Sequence, residues 1–268
     1  MYSAATLISS PPVAWSPFGP SSPARLWTPE IAAKYESLYE SKGVTFHRST
    51  KVVKIVERDG RAVGVEIEGG TVLEADVVVV GVGAGAPTAP FDQLDSTPEK
   101  HPGGIRVDAT FAASGPGVQP KSVYAIGDVA AFPLNGGDLV RMEHVAHARA
   151  SAAHAAAAVM DPANDAPYTY LPYFYSRVFE HPGSARKVAW VFYGANPADA
   201  EVVVVGDFAP KLAAFWVKEG KGVGYMLESG SPDENAAVAA AAKATPAVDV
   251  AALRSAGTVE DALKVAGA

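Results

Sequence analysis

Three short stretches of this sequence gather residue types that can do chemistry together. Tyr124-Ala125-Ile126-Gly127-Asp128 runs apolar and stops at a glycine and a carboxylate. A carboxylate at the C-terminal edge of an α/β sheet can accept hydrogen bonds from the hydroxyls of a sugar or ribityl chain. A plain Gly-Asp turn explains the same residues equally well. Glu143-His144-Val145-Ala146-His147-Ala148-Arg149 opens an alanine-rich stretch. A helix starting there aims backbone N–H groups at a phosphate or a ring carbonyl. His144 and His147 stand three apart and could share a metal ion, but no third ligand has a plausible spacing, so no metal is expected. In Tyr173-Phe174-Tyr175-Ser176-Arg177, a strand would put Tyr173, Tyr175 and Arg177 on one face. Two rings and a guanidinium suit a flat anionic or conjugated ligand. An ordinary aromatic core strand with an edge arginine is the plainer explanation.

A fourth stretch, Gly81-Val82-Gly83-Ala84-Gly85-Ala86, matches G-x-G-x-x-A. A dinucleotide fingerprint needs a helix next, and Pro87 and Pro90 oppose one. It reads better as a glycine-rich turn at which backbone can approach a ligand or another chain segment.

The elements that must position these residues are legible in outline. Residues 1–24 hold five prolines, six serines and no charged side chain, which predicts an irregular leader. A transit peptide is the alternative, although the first arginine is Arg25. Thr28, Pro29 and Glu30 look like the cap and first turn of a helix that carries Ile31, Tyr35, Leu38 and Tyr39 and ends before Gly43. Strand-like patterns follow, with hairpin signals at Asp59-Gly60 and Gly69-Gly70. Residues 77–80 are four consecutive valines, the pattern of a strand buried on both faces. Residues 123–126 predict another short buried strand, and 143–160 a helix free of Gly and Pro. From Tyr168 the chain turns β-rich, with strands expected at 173–179, 188–193, 201–205, 213–217 and 223–227. Pro232 opens an Ala-rich helix before a polar helical tail. The domain reading is a leader at 1–24, an α/β portion at 25–103, a second at 104–162, and an α+β domain at 163–268.

Composition narrows the function classes. The net charge of −7 gives no electrostatic reason to expect nucleic acid. The chain has no cysteine, so it offers no disulfide scaffold, thiolate zinc site, cysteine-held iron–sulfur cluster or dithiol centre. No apolar run approaches the roughly 20 residues that span a bilayer, so no membrane partner is expected.

Taken together, Y-A-I-G-D-V-A-A-F-P, R-M-E-H-V-A-H-A-R and Y-L-P-Y-F-Y-S-R, with L-E-A-D-V-V-V-V-G-V-G before them and G-S-P-D-E-N after, closely resemble plant-type monodehydroascorbate reductase from about Arg25 to the C-terminus. The resemblance implies an α/β fold: an incomplete pair of FAD- and NAD(P)-binding domains plus a C-terminal α+β domain. It implies that Asp128 binds the ribityl chain of FAD and that Val145 and Tyr175 contact the flavin. Glu143, His144, Gly83 and Tyr175 would lie by the nicotinamide nucleotide, and Arg149 and Arg177 would meet the anionic ascorbyl radical. No side chain is implied as a catalytic residue. The implied reaction reduces the monodehydroascorbate radical to ascorbate with NAD(P)H through FAD. Where the family reads G-V-G-G-R-P, this chain has Gly83-Ala84-Gly85-Ala86, and Ala146 and Ala150 replace the family's Asp and Lys. Residues 181–187 look inserted. The family's two G-x-G-x-x-G pyrophosphate turns are not in this sequence, so the chain is expected to anchor FAD poorly by itself. The alternatives are a ferredoxin- or rubredoxin-type flavoprotein reductase and a non-catalytic fragment. The expected compartment is the cytoplasm, with the chloroplast as alternative.

Overall fold

The structure is a computed structural model that describes residues 4–8, 13–14, 28–81, 85–98, 102–161, 163–178 and 188–268. The chain is mixed α/β and divides into two compact units, Met1–Ala84 and Gly85–Ala268.

In the first unit, β1 (Ala4–Ile8) and β2 (Val13–Ala14) precede α1 (Pro29–Glu40). The α1 start matches its sequence signals: the Thr28 hydroxyl accepts from the Ile31 N–H, with Pro29 in the first turn. Ile31 and Tyr35 bury its inner face. Then come β3 (Thr45–Phe46), β4 (Val52–Arg58), β5 (Arg61–Ile67), β6 (Val72–Glu74) and β7 (Val77–Gly81). β4, β5 and β6 form an antiparallel meander. Its first turn is Asp59-Gly60, with φ of 53° and 76°, the two left-handed residues of a type I′ hairpin.

Two expectations need correction here. The leader read as irregular contains β1 and β2, which join β3 and β7 in a sheet of order β3-β2-β1-β7. Proline and serine content averaged over the segment hid the apolar run Ala4-Ala5-Thr6-Leu7-Ile8, which contains no proline. The four valines do form β7, but Val77, Val79 and Val80 are exposed. A β-branched run favours a strand; burial depends on the layers packed over it.

The second unit begins with β8 (Ile105–Arg106), β9 (Ala130–Pro133) and β10 (Leu139–Val140), in the order β10-β9-β8. The strand expected at 123–126 is only a bridge between Tyr124 and Ala112, and Ile126 is exposed. Phe111–Ala113 offers it a very short partner, so no ladder propagates. The helix α2 (Val145–Met160) starts two residues later than expected, with His144 as its cap and Glu143 outside it. α2 buries His147, Ser151, Ala155 and Ala158. His147 stacks on Phe132 (4.6 Å between centroids, 13° between planes) and shares a 3.2 Å hydrogen bond with the Tyr168 hydroxyl. Asn135, with φ of 51°, pairs with Tyr170 twice: its Oδ1 accepts from the Tyr170 N–H at 3.0 Å and its Nδ2 donates to the Tyr170 carbonyl at 3.3 Å.

The remainder is a five-stranded antiparallel sheet of order β11-β12-β15-β14-β13, formed by β11 (Tyr173–Val178), β12 (Val188–Gly194), β13 (Glu201–Gly206), β14 (Leu212–Lys218) and β15 (Lys221–Glu228). These follow the expected strands closely; residue 179 and the inserted stretch 181–187 lie outside the described residues. α3 (Pro232–Ala244) opens on a capping box between Ser231 and Glu234. With α4 (Val250–Arg254) and α5 (Val259–Val265) it closes a core of Phe215, Tyr225, Leu227, Val238, Leu253 and Leu263. The buried Tyr225 hydroxyl donates to the Ala266 carbonyl at 3.0 Å, and burial pushes its pKa up to about 12.

Two predictions follow from these buried polar groups. Tyr225→Phe removes the donor from a buried carbonyl and should cost about 1–2 kcal/mol in urea unfolding; an unchanged midpoint would refute the role of that bond. Burial, partly offset by Asp128 and reinforced by His144, holds the His147 imidazole below its ordinary value. The unfolded chain then takes up a proton near pH ~6.5 that the folded chain resists. This contribution to stability is present above pH ~6.5 and is lost as pH falls through the depressed folded value. His147→Phe should therefore flatten the loss of stability below pH ~6.5, compared by urea titrations at several pH values. Parallel wild-type and variant curves would exclude His147 as the source.

Candidate functional site

The site grows out of the start of α2. Upstream, Gly127-Asp128-Val129 forms a single 3₁₀ turn. The Gly127 N–H donates to the Ser151 hydroxyl at 3.0 Å, and that hydroxyl donates to the Ala148 carbonyl at 3.0 Å. Gly127 has φ of 66°, and a Cβ there would stand 3.3 Å from the Ala148 Cβ. Glycine thus provides both the left-handed backbone and the close approach to α2. Asp128 follows with its carboxylate exposed. Its carbonyl accepts from Arg141 Nη1 at 3.0 Å. The same guanidinium donates through Nε to the Pro102 carbonyl at 3.3 Å and pairs with the Glu143 carboxylate. Sequence reading missed Arg141. Its only signal was the string R-M-E-H, in which extended backbone puts Arg141 and Glu143 on one side.

His144 has extended backbone, and its Nδ1 accepts from the Ala146 N–H at 3.2 Å. A ring nitrogen that accepts carries no proton, so the neutral ring is protonated at Nε2. The His144 carbonyl takes the Ala148 N–H. The first turn holds no acidic residue, so the amide end of α2 keeps its positive character. Val145, the first residue of α2, is 53% exposed, and Arg149 lies one turn on along the same face, also exposed.

β11 is an edge strand, paired on one side with β12. Tyr173, Tyr175 and Arg177 alternate onto one face, as expected. Tyr173 stacks on Tyr193 (4.8 Å) and on Tyr175 (5.9 Å), and the Arg177 guanidinium stands 6.0 Å from the Tyr175 ring centroid. Burial raises the Tyr173 and Tyr193 phenols above their ordinary value. Tyr175 is 43% exposed and Phe174 is also exposed, so this is not the ordinary core strand that the sequence also allowed. The His144 ring meets Tyr173 (5.6 Å), Phe174 (5.7 Å) and Tyr175 (6.1 Å).

The structure therefore joins Glu143, His144 and Val145 to Tyr175 and Arg177 through the His144 ring, and ties Asp128 to the same helix through Gly127. Gly83 lies outside the described residues. The two histidines do not converge on a common ligand: His147 is buried in the aromatic core, while the Nδ1 of His144 serves as the cap acceptor. A separate groove of about 770 Å³, lined by Asp95, Arg106, Asp108 and Lys121 among others, includes none of the expected site residues.

Comparison with known proteins adds the following. A family model described as pyridine nucleotide-disulphide oxidoreductase matches residues 21–155. A second, described as monodehydroascorbate reductase 3-like, C-terminal domain, matches residues 171–260. The chain is 46% identical over 246 residues to a chloroplastic/mitochondrial monodehydroascorbate reductase of Arabidopsis thaliana, covering 91% of this chain and 48% of that protein. It is 44% identical to a monodehydroascorbate reductase of Pisum sativum, covering 84% and 50%. The chain thus spans about half the length of the curated relatives it matches. Among solved structures, a ferredoxin reductase from Rhodopseudomonas palustris superposes with a TM-score of 0.74 at 26% identity, over 96% of this chain and 58% of that one.

Replacing Arg141 with methionine keeps much of the stem but removes three polar links. The Gly127–Val129 turn and Glu143 should loosen together, seen as faster amide exchange across 127–129 and 143–146. Exchange unchanged at both places would mean that Arg141 does not organise the site.

Proposed function

The chain belongs to the pyridine nucleotide-disulphide oxidoreductase family, and from that premise we propose that it contributes the flavin-facing and substrate-facing part of a monodehydroascorbate reductase. The observation that carries this reading is the junction at His144. It sets the amide end of a helix beside an exposed Tyr175–Arg177 face.

The residues present fit a flavin. An exposed carboxylate follows a left-handed glycine packed closely against α2, and the first turn of α2 carries no acidic side chain to repel electron-rich carbonyls. In this reading Asp128 accepts hydrogen bonds from ribityl hydroxyls. The amide end of α2 faces the polar edge of the ring, and Val145 and Tyr175 give it apolar contact. Glu143 and His144 lie by the nicotinamide nucleotide, with Gly83 and Tyr175 near it. FAD supplies hydride acceptance from NAD(P)H and release of electrons one at a time; the protein orients and tunes it. Arg149 and Arg177 attract the anionic ascorbyl radical, and the Tyr175 ring offers its planar skeleton a surface. With no cysteine in this sequence, no thiol of this chain stands between flavin and radical.

The domain division at 103/104 and 162/163 is part of the same proposal. So is a plastid location, which the chloroplastic relatives favour over the cytoplasm. Among the described residues, no helix is long and apolar enough to cross a membrane. A second reading, favoured by the likeness to a ferredoxin reductase, makes a small electron-transfer protein the acceptor.

Joined to the N-terminal half of a monodehydroascorbate reductase and supplied with FAD and NAD(P)H, the chain should turn over ascorbyl radical generated by ascorbate oxidase. Arg149→Ala and Arg177→Ala should each raise KM for the radical roughly ten-fold, the scale of one charge-assisted contact, with little change in kcat or flavin content. Wild-type KM in both variants would remove the arginines from the substrate site. Turnover of ferredoxin without turnover of the radical would favour the second reading.

A further inference from the structure

The geometry points to His144 as a positioning residue that sets the spacing between the amide end of α2 and the Tyr175–Arg177 face of β11. This deepens the substrate placement proposed above and rests on it for its consequence in binding.

One imidazole performs two fixings. Through Nδ1 it holds the first turn of α2, accepting from the Ala146 N–H. Through its ring it meets three consecutive side chains of β11, nearly perpendicular to Tyr173 (83°) and Tyr175 (84°) and tilted to Phe174 (55°). Contact with side chains of both strand faces is only available from the strand's edge, and β11 is the edge strand on this side of its sheet. β12 therefore holds one side of β11, and His144 stands at the other. The described residues between α2 and β11 have no regular structure. This stretch is tied to α2 by His147, which meets Tyr168 (5.8 Å) and Tyr170 (5.5 Å), and by His154, which meets Tyr168 (5.3 Å). Three residues apart on one helix, His144 and His147 thus hold successive parts of the stretch 168–175. The spacing that resembles a metal pair is the spacing of a clamp.

The two fixings are chemically separable. Asparagine is a good cap but has no ring to meet β11. Phenylalanine keeps a ring but cannot accept from Ala146. If His144 only caps the helix, asparagine replaces it in full. If it sets the spacing, neither variant does, and a flat anion that must touch both α2 and β11 binds less well.

The test uses the 268-residue chain, with ascorbate as a stable anion of the substrate's skeleton. In the unmodified protein, ¹⁵N spectra of the neutral imidazoles should show the Nε2–H tautomer at His144; the Nδ1–H tautomer would overturn the cap. His144→Asn should keep the Ala146 amide protected to within about two-fold, whereas His144→Phe should lose roughly five-fold of that protection. Both variants should weaken ascorbate binding, followed by titration, by roughly five-fold or more. Wild-type ascorbate affinity in His144→Asn would overturn the positioning role. Should the unmodified chain bind no ascorbate, the substrate reading fails by itself. The positioning role is then decided by the nuclear Overhauser contacts between α2 and the Tyr175 ring: their loss in His144→Asn supports it and their persistence overturns it.

Discussion

Much of the candidate site depends on one hydrogen bond, from the Gly127 N–H to the Ser151 hydroxyl. It joins a tight turn to the second turn of a helix and requires that the turn carry no side chain there. Once that contact is made, the direction in which Asp128 leaves the turn is largely set. Arg141 then reaches back to the Asp128 carbonyl and forward to Glu143, so the residues on either side of the helix start are held by one guanidinium. Ser151 is fully buried, so no solvent competes for the bond that starts this chain of dependence.

The same helix separates two histidines by environment. His147 faces Phe111, Phe132 and Tyr168, and burial lowers the pKa of its imidazole. His144, at the helix end, faces the aromatic strand and retains an N–H that can donate. Aromatic packing thus performs two tasks: it fills the core below α2, and beside α2 it keeps a partly exposed tyrosine at a defined place. The absence of acidic side chains in the first turn leaves the field of the helix end directed at whatever occupies that place.

How legible this was in the sequence depends on the range of the interactions. Thr28 with Pro29, Asp59 with Gly60, and Ser231 with Glu234 act over one to three residues, and all three form as their local patterns imply. The strands of the C-terminal sheet were readable because alternation and turns are also local. The exposure of β7 was not readable, because four valines do not say what lies over them. Nor was the pairing of β1 with β7, which links residues 69 to 77 apart. Within the site, the residue types were visible but their division of labour was not. A spacing of three suggested that His144 and His147 share a face, whereas the cap geometry of His144 turns its ring to another partner. Arg141 was missed because its carbonyl partners lie 13 and 39 residues away.

Asn135 shows how narrow the substitution alphabet can become. Its backbone is left-handed, and its amide group pairs with both the N–H and the carbonyl of Tyr170, as a neighbouring strand would. Glycine would tolerate the backbone but offer no side chain; aspartate would accept but not donate; glutamine could do both but is poorly suited to the conformation and one methylene longer. Tyr170 in turn leads within three residues to Tyr173 and the aromatic strand. An exposed loop residue, far down any list ranked by burial, thus has few equivalent replacements.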